Sequence, residues 1–271
     1  DKITLDKMLS NKVFSISPSI GQLRESFSGS SSVKDVETLL QMLYLYFTEL
    51  RFDQSSYQSM MARMAGILEN KSASPEAAFR DTMSVTMANY NERARPMTKE
   101  LLSEADFNRM KQIAKERFKN AADFKFFFVG NINMDEFKPM VEKYIGGIPS
   151  VNEKEKWVDL GIEKPEGVVE KVVKRGQEDK STQYIVFHGD FDFNTQNQLQ
   201  LDAVSKILST RLLEVIREDK SSVYSIGAYP SSEKFPDPEY SITVAYGTAP
   251  QKLDELKKAV FDIISEYKQN G

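Results

Sequence analysis

Apolar positions along the chain follow two periods, and the switches between them mark the elements. Alternating runs at Lys12 to Ser17 and Gln22 to Ser28 predict two short strands around Pro18 and Gly21. Ser32 then stands as an N-cap before a helical run from Val33 to about Leu50. Its apolar face is Val36, Leu39, Leu40, Leu43, Phe47 and Leu50. Met42, Leu45 and Tyr46 widen that face, which predicts burial on more than one side. A second helix, from about Gln54 to Glu69, carries Met60, Met61, Met64 and Ile67 on one stripe, read as core rather than as an adaptable binding surface. Ser74-Pro75-Glu76 opens a third helix, to about Tyr90, and Ser103 with Asp106 three residues later opens a fourth, Glu104 to about Lys119. Phe124 to Val129, four of its six residues Phe, predicts a buried strand stopped by Gly130-Asn131. An amphipathic helix follows from Met134 to Tyr144, closed by Gly146-Gly147 and Pro149.

From Ser150 to Gly167 the periodicity lapses into a charged run punctuated by Pro165 and Gly167, which reads as an interdomain linker, with Trp157 docking it onto a neighbour. Beyond it the pattern predicts strands Val168–Val173 and Thr182–His188, a helix from about Gln196 to Glu218 broken near Ser209, strands Val223–Tyr229 and Tyr240–Tyr246, and a last helix from Pro250 to about Gln269. The order strand, strand, small residues, long helix occurs at 12–50 and again at 223–269. That echo predicts the back part of one domain (1–150), a linker (151–167) and the front part of a second, similar domain (168–271). The fold class is α+β: two-layer domains with mixed or antiparallel sheets covered by helices.

A chain of 271 residues, 40% hydrophobic and 28% charged, can bury a sizeable core without disulfide or metal. The formal net charge of −4 argues against a nucleic-acid-binding surface, which needs excess Lys and Arg. No stretch reads as a signal peptide or a transmembrane helix. With no Cys and a single His, His188, the chain offers no thiolate and no site of two or more histidines. His188, Asp190 and Asp192 share one face of an extended segment, but three residues of one strand rarely converge on one ion; a solvated strand end with a helix cap is the better reading. Asp123, Asp135 and Glu136 lack a second half for acid–base catalysis, and the last two sit in a first helical turn, where carboxylates belong. Gly146-Gly147 follows a helix instead of preceding one, so it is a C-cap, not a phosphate loop.

Two segments resemble the insulinase/pitrilysin family of zinc metallopeptidases, to which mitochondrial processing peptidase belongs. One is Phe127-Phe-Val-Gly-Asn-Ile-Asn-Met-Asp-Glu-Phe137, running on to Ile145-Gly-Gly-Ile-Pro149. It is similar to the family's strand, Val-Gly-Asp/Asn turn, helix and Gly-x-Ile/Leu-Pro ending. The other, Leu212 to Ile226, resembles the family's Leu-Arg-x6-Tyr segment through Arg217 and Tyr224; Ile216 stands where Leu is common, and Val223 where Gly is common. Gln183 to Phe187 fits the strand that opens a fourth domain. The family's His-x-x-Glu-His motif, which with a distal Glu supplies zinc ligands and general base, is absent.

The resemblance therefore implies a segment of the non-catalytic C-terminal half, with a processing-peptidase-like fold. The zinc of the parent metalloendopeptidase would be held outside this chain, by the N-terminal catalytic half of the same protein. Arg217 and Tyr224 would reach peptide or unfolded polypeptide in an enclosed chamber, Arg gripping a carbonyl or carboxylate and Tyr donating to the oxyanion. Large bacterial relatives imply a periplasmic or secreted location. The alternative is a non-enzymatic homologue acting as scaffold or peptide-binding subunit.

Overall fold

Gln22 and Leu23 form a two-residue loop, closed by a hydrogen bond from the Gly21 N–H to the Arg24 carbonyl at 2.9 Å. It folds β1 (Phe14–Ile20) antiparallel onto β2 (Glu25–Ser31), after a short α1 (Lys2–Met8). This hairpin and all that follows are taken from a computed structural model, which describes residues 2–151, 153, 155–219, 223 and 225–270. Both strands lie a few residues later than the alternation predicts, and Pro18 stands inside β1 instead of between the strands. Parity explains this. Bonded and non-bonded pairs alternate along an antiparallel ladder. The bonds Gly21 N–H to Arg24 and Ser32 N–H to Val13 place the odd-numbered residues of β1 in the bonded set. Pro18, opposite Phe27, falls in the other set, so its missing N–H removes no ladder bond.

A 3-10 turn (Val33–Asp35) leads into α2 (Val36–Thr48). The residue that fixes this corner is Asp35, not Ser32 as the N-cap pattern predicts. Its carboxylate is 2% exposed and accepts the Ser32 hydroxyl at 2.6 Å and the Val13 N–H at 3.0 Å, with Lys12 Nζ 3.3 Å away. The Ser32 hydrogen bond above all, with that of Val13, holds the carboxyl at about 2, below its ordinary 3.8. A lowered pKa stabilises the fold above the unfolded value and ceases to as pH falls through the folded one. Thermal melts of the wild type should therefore lose stability between about pH 4 and pH 2 more steeply than those of Asp35→Asn, which lacks this titration. Parallel acid profiles for the two proteins would contradict that role.

The further α-helices of the first unit are α3 (Gln54–Ser72), α4 (Pro75–Met87), α5 (Lys99–Ser103), α6 (Phe107–Arg117) and α7 (Met134–Tyr144). Ser74 caps α4 as its sequence predicts, accepting the Ala77 N–H at 3.2 Å. The helix expected over 104–119 is α6, shorter at both ends, and α5 lies before it. Thr98 caps α5, and Asp106 caps α6 through the Arg109 N–H at 2.6 Å. The Ser103/Asp106 spacing misled because Asp106 acts as the cap itself. Phe27, Tyr46, Phe47, Phe118, Phe124 and Phe126 form one aromatic layer between the hairpin and α2, with neighbouring ring centroids 4.8–6.5 Å apart. The predicted buried strand Phe124–Val129 carries no ladder, and Phe127 and Val129 are 83% and 99% exposed. Residues 168–173 likewise run without a ladder. Trp157 is 59% exposed and so is not buried against a neighbour.

Contacts divide the chain into units 1–175 and 176–271. The second unit is β3 (Ser181–Asp190), α8 (Thr195–Leu212), β4 (Ile226–Glu233), β5 (Glu239–Thr248) and α9 (Leu253–Asn270). Its three strands form an antiparallel sheet in the order β3-β5-β4. Leu212, Ile216, Ile226, Ala228, Val244, Tyr246, Leu256, Val260 and Ile263 build the core between sheet and helices. The fold is α+β, helices over antiparallel sheets. α8 is not broken near Ser209; its winding widens to a π-helix at Leu213–Asp219.

Candidate functional site

The segment between α8 and β4 carries the two residues that the sequence singles out. It leaves from a fixed point: the Ser209 hydroxyl accepts the Ala228 N–H at 2.7 Å and donates to the Ala228 carbonyl at 3.0 Å, stitching the last turns of α8 to β4. Leu212 and Ile216, both fully buried, then anchor the start of the π-helix in the core. Arg211 binds Glu214 at 3.5 Å and approaches Glu266 of α9 at 3.9 Å. On the far side Ile226, Gly227 and Ala228 are buried. A π-helix leaves carbonyl and N–H groups out of the usual ladder and recurs at functional sites. Arg217 lies in this π-helix; its side chain, and the whole of Tyr224, lie outside the described residues.

Behind this segment, β5 is tied to β3 by a polar pair that sequence periodicity does not reveal. Tyr246 donates its hydroxyl to Gln183 Oε1 at 2.7 Å, the two being cross-strand partners. Burial, and next the negative Asp254, pushes the Tyr246 hydroxyl up to about 12, so it serves as a donor throughout the working range. Neither Ser209 nor Gln183 stands out in the sequence, because each acquires its role from a register set by distant residues.

The remaining candidates resolve into structure. Asp192 belongs to the cap of α8: its carbonyl accepts from Asn197 Nδ2 at 2.8 Å, while Asn194 Oδ1 accepts the Asn197 N–H at 2.8 Å. Asp135 and Glu136 begin α7 beside its cap residue Asn133, whose amide donates to Glu136 at 3.2 Å. Gly146 N–H closes α7 on the Val141 carbonyl at 3.0 Å. Among the described residues no group of three or more His, Cys, Asp or Glu side chains could hold a metal, and His188 pairs along β3 with Ser241. The described residues therefore do not fit a zinc site. Among the described residues no helix is long and apolar enough to cross a membrane.

Residues 105–271 match the family described as peptidase M16 inactive domain. Over 96% of its length the chain is 20% identical to the probable zinc protease PqqL of Haemophilus influenzae, covering 28% of that protein. In fold it is similar to the crystal structure of the periplasmic protease PqqL from Escherichia coli, with a TM-score of 0.84, 18% identity, and coverage of 99% of this chain and 30% of that one. It is also similar to the ferredoxin protease FusC solved with Arabidopsis ferredoxin, with a TM-score of 0.80, 16% identity, and coverage of 99% and 29%. The chain thus spans less than a third of each of these proteins.

Proposed function

Because the chain belongs to the peptidase M16 inactive-domain family, we propose that it is a segment of the non-catalytic C-terminal half of a zinc metalloendopeptidase. In this reading it walls the substrate chamber and binds substrate for hydrolysis by a zinc-binding half outside residues 1–271. The observation that carries it is the match of 105–271 to an inactive domain in a chain with one His and no Cys. The back part of one domain (1–150), the linker (151–167) and the front part of a second (168–271) belong to the same proposal. So does a periplasmic location, supported by the likeness to the periplasmic PqqL.

The chemistry this chain supplies is positioning. Arg217, on a π-helix anchored by Ile216 and by the Ser209 stitch, offers a planar fork of donors suited to a peptide carbonyl or terminal carboxylate. Tyr224, in the connection to β4, donates one hydrogen bond to the oxyanion that forms when water attacks. Extended substrate adds to a sheet edge through main-chain bonds, as β4, paired on one side only among the described residues, would allow. Enclosure favours peptides and unfolded segments. That FusC is solved with a ferredoxin makes a small protein the appropriate second substrate to assay.

The test is elemental analysis with a chelator-sensitive peptide assay. The 271-residue chain should hold no stoichiometric zinc and cleave no peptide, since a borderline ion finds only carboxylates and a single imidazole here. The whole polypeptide should hold zinc and cleave. One tightly held zinc in the 271-residue chain, or an inactive whole polypeptide, would overturn the proposal; the second outcome would favour a non-enzymatic, peptide-binding homologue.

A further inference from the structure

Unit 176–271 runs strand, helix, strand, strand, helix, and its last strand in sequence, β5, is the middle one. Unit 1–175 contains the end of the same series. In both, a hairpin leads to a 3-10 turn that starts two residues beyond the second strand, and the helix starts three residues later: Ser31, Val33, Val36 and Thr248, Pro250, Leu253. β2 is thus the counterpart of β5. Yet β5 is laddered on both sides, whereas among the described residues β2 is laddered by β1 alone. The parity that accommodates Pro18 also locates the open edge. Even-numbered residues of β2 bond to β1, so the N–H and C=O groups of Phe27 and Gly29 point away from it.

A second unladdered segment lies beside that edge. Residues 124–129 have the burial of a strand: Phe124, Phe126 and Phe128 are half-buried, Lys125, Phe127 and Val129 exposed. Phe124 sits with its ring 6.0 Å from Phe27 of β2 and 5.0 Å from Phe47 of α2. Hairpin and extended segment therefore share one aromatic layer, and among the described residues neither has a ladder partner on its open side. A β-α-β-β-α-β unit, of which 176–271 shows the first five elements, holds its first strand beside the third.

We propose that unit 1–175 receives a β-strand from the parent polypeptide outside residues 1–271. It would lie antiparallel on β2 with 124–129 along its other flank, in the place that β3 takes beside β5. The register of β3 on β5 sets the chemistry of this strand. Opposite Val244 stands Ile185, and opposite Ile242 stands Phe187, all facing the helices. The incoming strand should likewise place a branched or aromatic residue opposite Phe27 and alternate from there, since a one-residue slip would turn its apolar set to solvent. Gly29 admits the close approach of α2: a Cβ there would meet the Ser15 carbonyl at 2.7 Å and Leu39 at 3.0 Å. The proposal rests on the reading of 1–150 as the back part of a domain in a longer polypeptide, in keeping with relatives of which this chain spans less than a third, and does not depend on the roles of Arg217 and Tyr224.

Amide hydrogen exchange at single-residue resolution tests it without reference to activity. In the 271-residue chain the amides of Phe27 and Gly29 should exchange at least about a hundredfold faster than those of Ser26, Ser28 and Ser30, which face β1. In the whole polypeptide the two sets should be equally protected. Fast exchange at Phe27 and Gly29 in both proteins overturns the proposal. So does protection already present in the 271-residue chain: lost on dilution it reports a second copy, and independent of concentration a segment of the chain itself. Should the 271-residue chain not fold alone, p-benzoylphenylalanine in place of Ser28 in the whole polypeptide decides. Photo-adducts to residues outside 1–271 are expected, and adducts confined to 1–271 overturn the proposal.

Discussion

Tyr224→Phe in the whole polypeptide should lower kcat by roughly ten- to a thousandfold and leave KM close to its original value. The substitution removes one hydroxyl and little else. If that hydroxyl donates to the oxyanion, its interaction strengthens only as charge develops, so the ground-state complex scarcely feels its loss. Arg217→Ala should behave differently. A guanidinium that grips a substrate carbonyl or carboxylate binds in the ground state too, so KM should rise together with a fall in kcat/KM. The contrast between the two variants is the diagnostic feature. Steady-state kinetics with a peptide and with a small folded protein would show it. Unchanged kinetics for Tyr224→Phe would remove the residue from the site.

Ile216→Ala should destabilise unit 176–271 by about 2–5 kcal/mol, the range for truncating a fully buried aliphatic side chain. Ile216 is 0% exposed and packs in the cluster with Val244, Leu256 and Val260, so the cavity opens where sheet and both helices meet. It also precedes Arg217 within the π-helix, so its loss should loosen the segment proposed to carry the substrate contacts. Urea unfolding of the variant should show a lower midpoint with an unchanged slope. Ile216→Val, which keeps the branch, should lose only about 0.5–1.5 kcal/mol. Equal stability of wild type and Ile216→Ala would show that the π-helix is not anchored there.

Much of the second unit is legible in the sequence because its signals are local. Asn194 caps α8, Pro250 opens the last helical run, and the alternation of β5 is unbroken. The first unit is harder, and for identifiable reasons. Pro18 reads as a breaker until the ladder's parity shows that its position needs no donor. Asp106 reads as the acidic member of a capping box when it is itself a cap. Phe124 to Val129 has the composition and alternation of a strand, yet a ladder needs a partner that sequence periodicity cannot supply. At the candidate site the motif places Arg217 and Tyr224 between α8 and β4. The features that fix that segment, the Ser209 stitch and the widened winding from Leu213, depend on packing between elements far apart in sequence.

In the proposed division of labour this chain positions substrate, and chemistry belongs to a half outside it. Complementation measures that directly. The remainder of the parent polypeptide, prepared without residues 1–271, should bind zinc but hydrolyse an extended peptide poorly, and added 271-residue chain should restore hydrolysis saturably. Restoration should fail with chain carrying Tyr224→Phe and Arg217→Ala together. Full hydrolysis by the remainder alone, unchanged when the 271-residue chain is added, would contradict the account.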